Sequence, residues 1–218
     1  MLTSPVATSL KDAPVRAGRP KDAAKRTAIL EAARDLFFER GVEATTIEDV
    51  AAQAGVSKVT VYGHFGDKLT LFEATVRHVM AFMEQGLLQS RPKGETLPEC
   101  LYALGVPLLR FLTSPELIAF DRALGGEAAR HPELAARFFE AGPGYCRSKL
   151  ARMIGDAQDR GEVELADPIH AAEDLMGLWY GVLHKKLAMG RIPTPTLAEL
   201  DAHVRRTVRI FMRAYAPG

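Results

Sequence analysis

Apolar positions recur at steps of three and four along most of the chain and form no alternating strand pattern, so the pattern predicts helices and no sheet. Ile29, Ala33, Leu36 and Phe37 share one face of a segment from Asp22 to Arg40 that Gly41 ends. Leu71, Phe72, Val76, Val79, Met80 and Met83 stripe a longer helix from about Lys68 to Gln89. After a linker over Ser90–Glu95, further helices are expected at about 97–112, 115–130, 132–160, 168–189 and 197–216. Gly142-Pro143-Gly144 should break or kink the third of these, and Gly161 should cap its end.

Between the first two long helices the period shortens. Thr45 or Thr46, with Glu48 or Asp49 three residues on, reads as a capping box opening a short helix over 46–54. Ala54-Gly55-Val56-Ser57 then interrupts the pattern: Gly55 suits a positive φ, and Ser57 suits an N-cap for a second short helix to Phe65. Ala51 supplies the small contact that two steeply crossing helices need, and Val50, Val56 and Val61 fill the wedge. This is a helix-turn-helix at 46–65. A plain helical hairpin would account for the apolar residues, but not for the polar row Lys58, Thr60, Tyr62 and His64, which alternates with Val59 and Val61. Lys58 can reach a guanine edge or a phosphate, and Thr60, Tyr62, His64 and Lys68 can donate to phosphate oxygens.

Those residues, with Ile29-Leu30-Glu31-Ala32-Ala33, Leu36-Phe37, Gly41, Thr45-Thr46-Ile47, Val50-Ala51, Ala54-Gly55-Val56-Ser57, Thr60-Val61-Tyr62, His64-Phe65, Lys68 and Leu71, resemble the DNA-binding domain of the TetR (tetracycline-repressor-like) regulators over roughly residues 23–83. The resemblance implies an all-α homodimer: an N-terminal three-helix DNA-binding domain joined by a long helix to a C-terminal ligand-binding and dimerisation domain over 84–218. It implies a regulator, by expectation a repressor, that binds a palindromic double-stranded operator and is released by a small molecule. Carried over position by position, Thr46, Lys58, Thr60, Tyr62, His64 and Lys68 stand where the family places DNA contacts. Gly63 departs from the pattern, since many members carry a larger side chain there, so base readout should lean on Lys58, Val59 and Thr60.

Composition narrows the setting. The 218 residues are 47% hydrophobic, enough for a real core, and mean hydropathy is near zero. No apolar run reaches membrane-spanning length, so no membrane partner is expected, and a cytoplasmic setting follows. Cys100 and Cys146 lack metal-ligand spacing and read as small buried hydrophobes in a reducing compartment. The net charge of +1 looks low for a DNA binder, but Lys11, Arg16, Arg19, Lys21, Lys25 and Arg26 face only Asp12 and Asp22. Residues 1–20 therefore read as a flexible basic arm, and Arg19 and Lys21 either enter the minor groove or form a solvated tail.

The last two helices carry apolar seams: Ile169, Ala172, Met176, Trp179 and Leu183 on one, and Leu197, Leu200, Val204, Val208, Phe211 and Tyr215 on the other. With Arg205, Arg206, Arg209 and Arg213 solvating the second, the reading is an isologous interface through Met176, Leu183, Leu200, Val204, Val208 and Phe211; the alternative is that both seams face the protomer's own core. Phe111, Phe120, Phe138, Phe139, Tyr145, Met176, Trp179 and Tyr180 are candidates to line a cavity for an apolar or aromatic effector, though a plain core would hold the same residues. Arg110, Asp121, Arg122, His170 and His184 could select a charged group if buried.

Two other classes compete. An enzyme is opposed by the absence of a phosphate-binding glycine loop or a nucleophile elbow; His170-Ala171-Ala172-Glu173 is a lone His–carboxylate pair, where helical metal sites need several. No catalytic residue, metal or cofactor is expected. An interaction bundle with an idle helix-turn-helix would bind no DNA selectively, and an activator of the same fold is also open.

Overall fold

The computed structural model describes residues 19–89, 96–164 and 167–217, which contain helices and no strand. Residues 1–18 of the basic arm expected over 1–20 and the linker at 90–95 lie outside the described residues, as do the side chains of Arg19 and Lys21; residues 19 and 20 already belong to the first helix. Four helices come first: α1 (Arg19–Arg40), α2 (Ile47–Gln53), α3 (Lys58–Phe65) and α4 (Lys68–Gln89). Then follow α5 (Leu97–Leu112), α6 (Pro115–Ala128), α7 (Pro132–Ala141), α8 (Pro143–Asp159), α9 (Pro168–Met176), α10 (Val182–Ala188) and α11 (Leu197–Ala214).

Caps explain many of the boundaries. Thr46 Oγ1 accepts from the Asp49 amide at 3.1 Å while Asp49 Oδ2 accepts from the Thr46 amide at 3.1 Å, so the capping box uses Thr46 and Asp49. Thr45, the other candidate, is fully buried and donates to the Gly41 carbonyl instead. Thr96 with Glu99 and Thr196 with Glu199 repeat the box at α5 and α11. The expected helix over 132–160 is two, because Pro143 opens a new first turn right after Gly142. The expected helix over 168–189 widens at Gly177–Gly181 into one π-helical turn between α9 and α10.

Two cores result, and they do not divide at residue 84. The first joins Ile29, Leu36 and Phe37 of α1, Val50 of α2, Val61 and Phe65 of α3 and Leu71 and Phe72 of α4 to Leu117, Phe120 and Leu124 of α6 and Leu134 of α7. The N-terminal head thus shares its core with two helices of the C-terminal region. The second core packs α5, α8, α9, the π turn and α11 around Trp179.

The second core corrects the dimer seam expected from sequence. Leu200, Val204, Val208 and Phe211 are each 6% exposed or less and belong to it. They face inward because α11 packs along α5, where Gly105 lets it approach: a Cβ at Gly105 would lie 2.8 Å from Val204 Cγ1 and 3.0 Å from Trp179 Cζ2. Met176 and Leu183 are only half-buried. The outward faces of the same helices carry Val182, 70% exposed, and Ile210, 42% exposed.

Candidate nucleic-acid interface and effector cavity

The turn between α2 and α3 closes as the sequence suggests. Gly55 adopts φ +65°, the Val56 amide donates to the Ala51 carbonyl at 3.0 Å and the Gly55 amide to Ala52 at 3.2 Å, which satisfies the last carbonyls of α2. Ser57 Oγ caps α3 by accepting from the Thr60 amide at 3.1 Å. Val61 and Phe65 bury the inner face of α3.

The outer face presents Lys58, Val59, Tyr62 and Gly63. Val59, expected among the readers, is 80% exposed and Tyr62 is 44% exposed. An exposed valine beside a lysine offers a methyl-contacting surface next to a donor, as a major-groove reader requires. Nothing stands within 4 Å of a Cβ built at Gly63, so this face is flat there.

Three expected contacts sit differently from their neighbours. The Thr46 hydroxyl is committed to Asp49 Oδ2 at 2.8 Å. The His64 side chain, 15% exposed, turns back so that Nε2 lies 3.3 Å from Asp22 Oδ1 of α1. Lys68 Nζ donates to the Glu43 and Thr45 carbonyls at 3.0 and 3.1 Å, which ties the first turn of α4 to the α1–α2 connection. Sequence reading also missed Glu48. Its carboxylate pairs with Lys58, and that hydrogen bond holds Glu48 below and Lys58 above their ordinary pKa values. An i to i+10 pair across a turn leaves no periodic signal in the sequence.

A cavity of about 370 Å³ lies between head and C-terminal region. Phe37 and Phe38 of α1 and Phe72, Val76 and Met80 of α4 wall one side. Phe111, Phe120, Phe138, Met176, Trp179 and Tyr180 also line it, whereas Tyr145 lines an adjoining cavity of about 260 Å³ and bonds Glu84 there. Phe139 is 46% exposed and lines neither. The π turn delivers Trp179 and Tyr180 to the wall together with Gly177 and Gly181.

Of the expected polar selectors only Asp121 reaches this wall. The Tyr180 hydroxyl lies 3.0 Å from the Leu112 carbonyl and 3.3 Å from Asp121 Oδ2, and His184 Nε2 lies 3.3 Å from the same oxygen. Burial pushes the Asp121 carboxyl above the usual carboxylate range, against the pull of His184 and Tyr180, and burial raises the Tyr180 hydroxyl first, with Asp121 adding to it. Arg122 is used on the Leu187 carbonyl at 2.7 Å, and His170 lies 3.5 Å from Asp167 at the exposed start of α9. Cys100 is buried, and burial pushes the Cys146 thiol up to about 11, so Cys146 stays an unreactive wall residue. No group of three metal-ligating side chains occurs among the described residues, and no single described helix is long and apolar enough to cross a membrane.

Polar ties fasten the head. Arg137 of α7 reaches Glu73 of α4 at 3.2 Å, and Lys149 of α8 reaches Glu84 at 2.7 Å. Glu127 of α6 is 7% exposed; its Oε1 accepts from the Glu43 amide at 3.2 Å in the α1–α2 connection, while Oε2 is buried without a hydrogen-bond partner.

Comparison with known proteins agrees with this geometry. The family model described as bacterial regulatory proteins, tetR family, matches residues 29–75, and that described as AefR-like transcriptional repressor, C-terminal domain, matches 99–217. The HTH-type transcriptional repressor Rv3405c of Mycobacterium tuberculosis is 38% identical over 155 residues, covering 63% of this chain and 80% of that protein. The repressor BepR of Brucella suis is 37% identical over 76 residues, 35% of this chain and 36% of its own length. Among solved structures, a TetR-family regulator from Mesorhizobium loti superposes with a TM-score of 0.76 at 27% identity, covering 91% of this chain and all (100%) of that one. The flavonoid-responsive regulator FrrA superposes with a TM-score of 0.67 at 28% identity, covering 89% and 98%.

Proposed function

The chain belongs to the TetR family of bacterial transcriptional regulators, which are not enzymes, and from that premise we propose that it is a repressor holding a palindromic operator as a homodimer until a small apolar or aromatic molecule fills the 370 Å³ cavity. The observation that carries this is the shared wall. Phe37, Phe38 and Phe72 belong to the head, so an occupant of the cavity presses directly on the helices that carry α2 and α3. Packed interiors transmit such displacement because they do not compress.

The path outward is short. α4 runs from the cavity to Lys68, and Lys68 grips the connection that precedes α2. A tilt of α4 therefore moves the reading helix. Two reading helices must stand about 34–36 Å apart to enter successive major grooves, so a small rotation of each head removes the register. The exposed Val182 and Ile210 support a dimer through the outer faces of α10 and α11. The likeness to FrrA, a flavonoid-responsive regulator, adds support for an aromatic effector.

Sedimentation of the protein with and without an operator duplex tests the assembly: two chains per duplex are expected, and a stable one-to-one complex would contradict it. Val182→Asp with Ile210→Asp should shift the free protein to monomer and weaken operator binding by at least tenfold.

A further inference from the structure

The cavity wall is carbon almost throughout, and its polar atoms are mostly spent. Thr75 Oγ1 donates to the Leu71 carbonyl at 2.8 Å, and Cys146 Sγ faces Met80 Sδ at 3.7 Å. The Tyr180 hydroxyl has the Leu112 carbonyl at 3.0 Å. Asp121 is the exception. Its side chain is 20% exposed, with the Tyr180 hydroxyl and His184 Nε2 each 3.3 Å from Oδ2, while Oδ1 takes no hydrogen bond from the described residues. A carboxylate in such a wall is expensive unless something donates to it.

We propose that Asp121 is the specificity-determining residue of the cavity and that the effector is a ring-bearing apolar molecule with a neutral hydroxyl, of the phenol type, that donates to it. This rests on the effector reading above. Two further observations favour a hydroxyl over a cationic amine. His184 Nε2 and Trp179 Nε1 are buried with no hydrogen-bond partner, the first beside Asp121 and the second on a cavity-lining ring. A hydroxyl both donates to a carboxylate and accepts from such a nitrogen, whereas an ammonium only donates. An ammonium would also lose far more hydration on entering a carbon-walled site than a hydroxyl does. The Tyr180 ring, tilted 35° against that of His184 with centroids 4.6 Å apart, packs this corner.

Trp179 is the chain's single tryptophan, so its emission reports occupancy of the wall it belongs to. The full-length protein is titrated with 4-cyclohexylphenol, with its methyl ether, which has the same body but no donor, and with 4-cyclohexylbenzylamine. The phenol is expected to bind about 10- to 100-fold tighter than the ether, the span of a hydrogen bond to a charged acceptor. That preference, the ratio of phenol to ether affinity within each protein, should fall several-fold in Asp121→Asn, which keeps the side-chain shape, and vanish in Asp121→Ala. Equal binding of phenol and ether, a preference that survives both variants, or tighter binding of the amine would overturn the proposal. If none of the probes moves the emission, the effector reading of the cavity falls as well; ether binding without a phenol preference keeps that reading and removes only this one.

Discussion

Lys58 and Glu48 carry the sharpest consequence at the scale of single residues. The lysine that the motif offers to DNA is paired, in the free chain, with a carboxylate on the preceding helix. DNA must displace Glu48 or tolerate its charge beside the phosphates. Glu48→Ala should therefore tighten operator binding about three- to tenfold, whereas Lys58→Ala should weaken it about tenfold or more and lower the salt slope by about one. Fluorescence anisotropy against a salt series measures both, and weaker binding by Glu48→Ala would mean that the pair positions Lys58 instead of masking it. Asp121 makes a second prediction. Its folded carboxyl titrates above its unfolded value because it is buried, so the stabilisation it contributes is complete below the ordinary carboxylate range and is lost as pH rises through the raised value. At pH 7 the ionised group destabilises the fold. Asp121→Asn should raise Tm at pH 7, and the gain should shrink toward zero as pH falls through about 4. Thermal unfolding over that range checks it; a lower Tm at pH 7 would contradict it.

The elements themselves were largely legible. Caps placed α2 and α3, and period alone placed α5, α6 and α11, to within a residue or two; Thr46, Ser57, Thr96, Ser114 and Thr196 mark the five starts chemically. The π turn was not legible: it continues the helical run around it without a break in the apolar pattern, and only the widened backbone at Gly177–Gly181 distinguishes it. Nor was the use of each seam. A stripe at steps of three and four says that a face is buried, and it is silent on whether the cover is α5 or another protomer. Gly105 was the overlooked clue, since a small residue in an otherwise large apolar helix marks a close crossing. Gly105→Ala would press a methyl against Val204 and Trp179 and should cost about 1–3 kcal/mol. Denaturant unfolding measures this, and an unchanged midpoint would mean that α5 and α11 can separate at no cost.

The whole molecule departs most from a picture of two beads on a lever. α6 and α7 contribute Leu117, Phe120, Leu124 and Leu134 to the core of the head, and α6 holds the α1–α2 connection through Glu127. Sequence alone could not reveal this, because the contacts join segments more than eighty residues apart, such as Glu43 and Glu127, and neither side carries a motif. On the function proposed above, coupling between cavity and reading helix would take two routes, one along α4 and one through α6. Glu127→Ala should leave ligand affinity within about twofold of wild type and reduce ligand-driven loss of operator affinity several-fold, the scale of a typical coupling free energy. An unaltered ligand effect would assign all of the coupling to α4.

The central claim is that one cavity, walled by both halves of the protein, decides whether the head keeps its hold on DNA. The most direct test is fluorescence anisotropy of the protein on DNA from upstream of its own gene, with excess unlabelled competitor, at fixed salt, with and without saturating 4-cyclohexylphenol. The account predicts a complex that survives competitor and weakens at least tenfold when the cavity is filled. Binding no tighter than to competitor, or an operator affinity that does not change while Trp179 emission reports a full cavity, would contradict it.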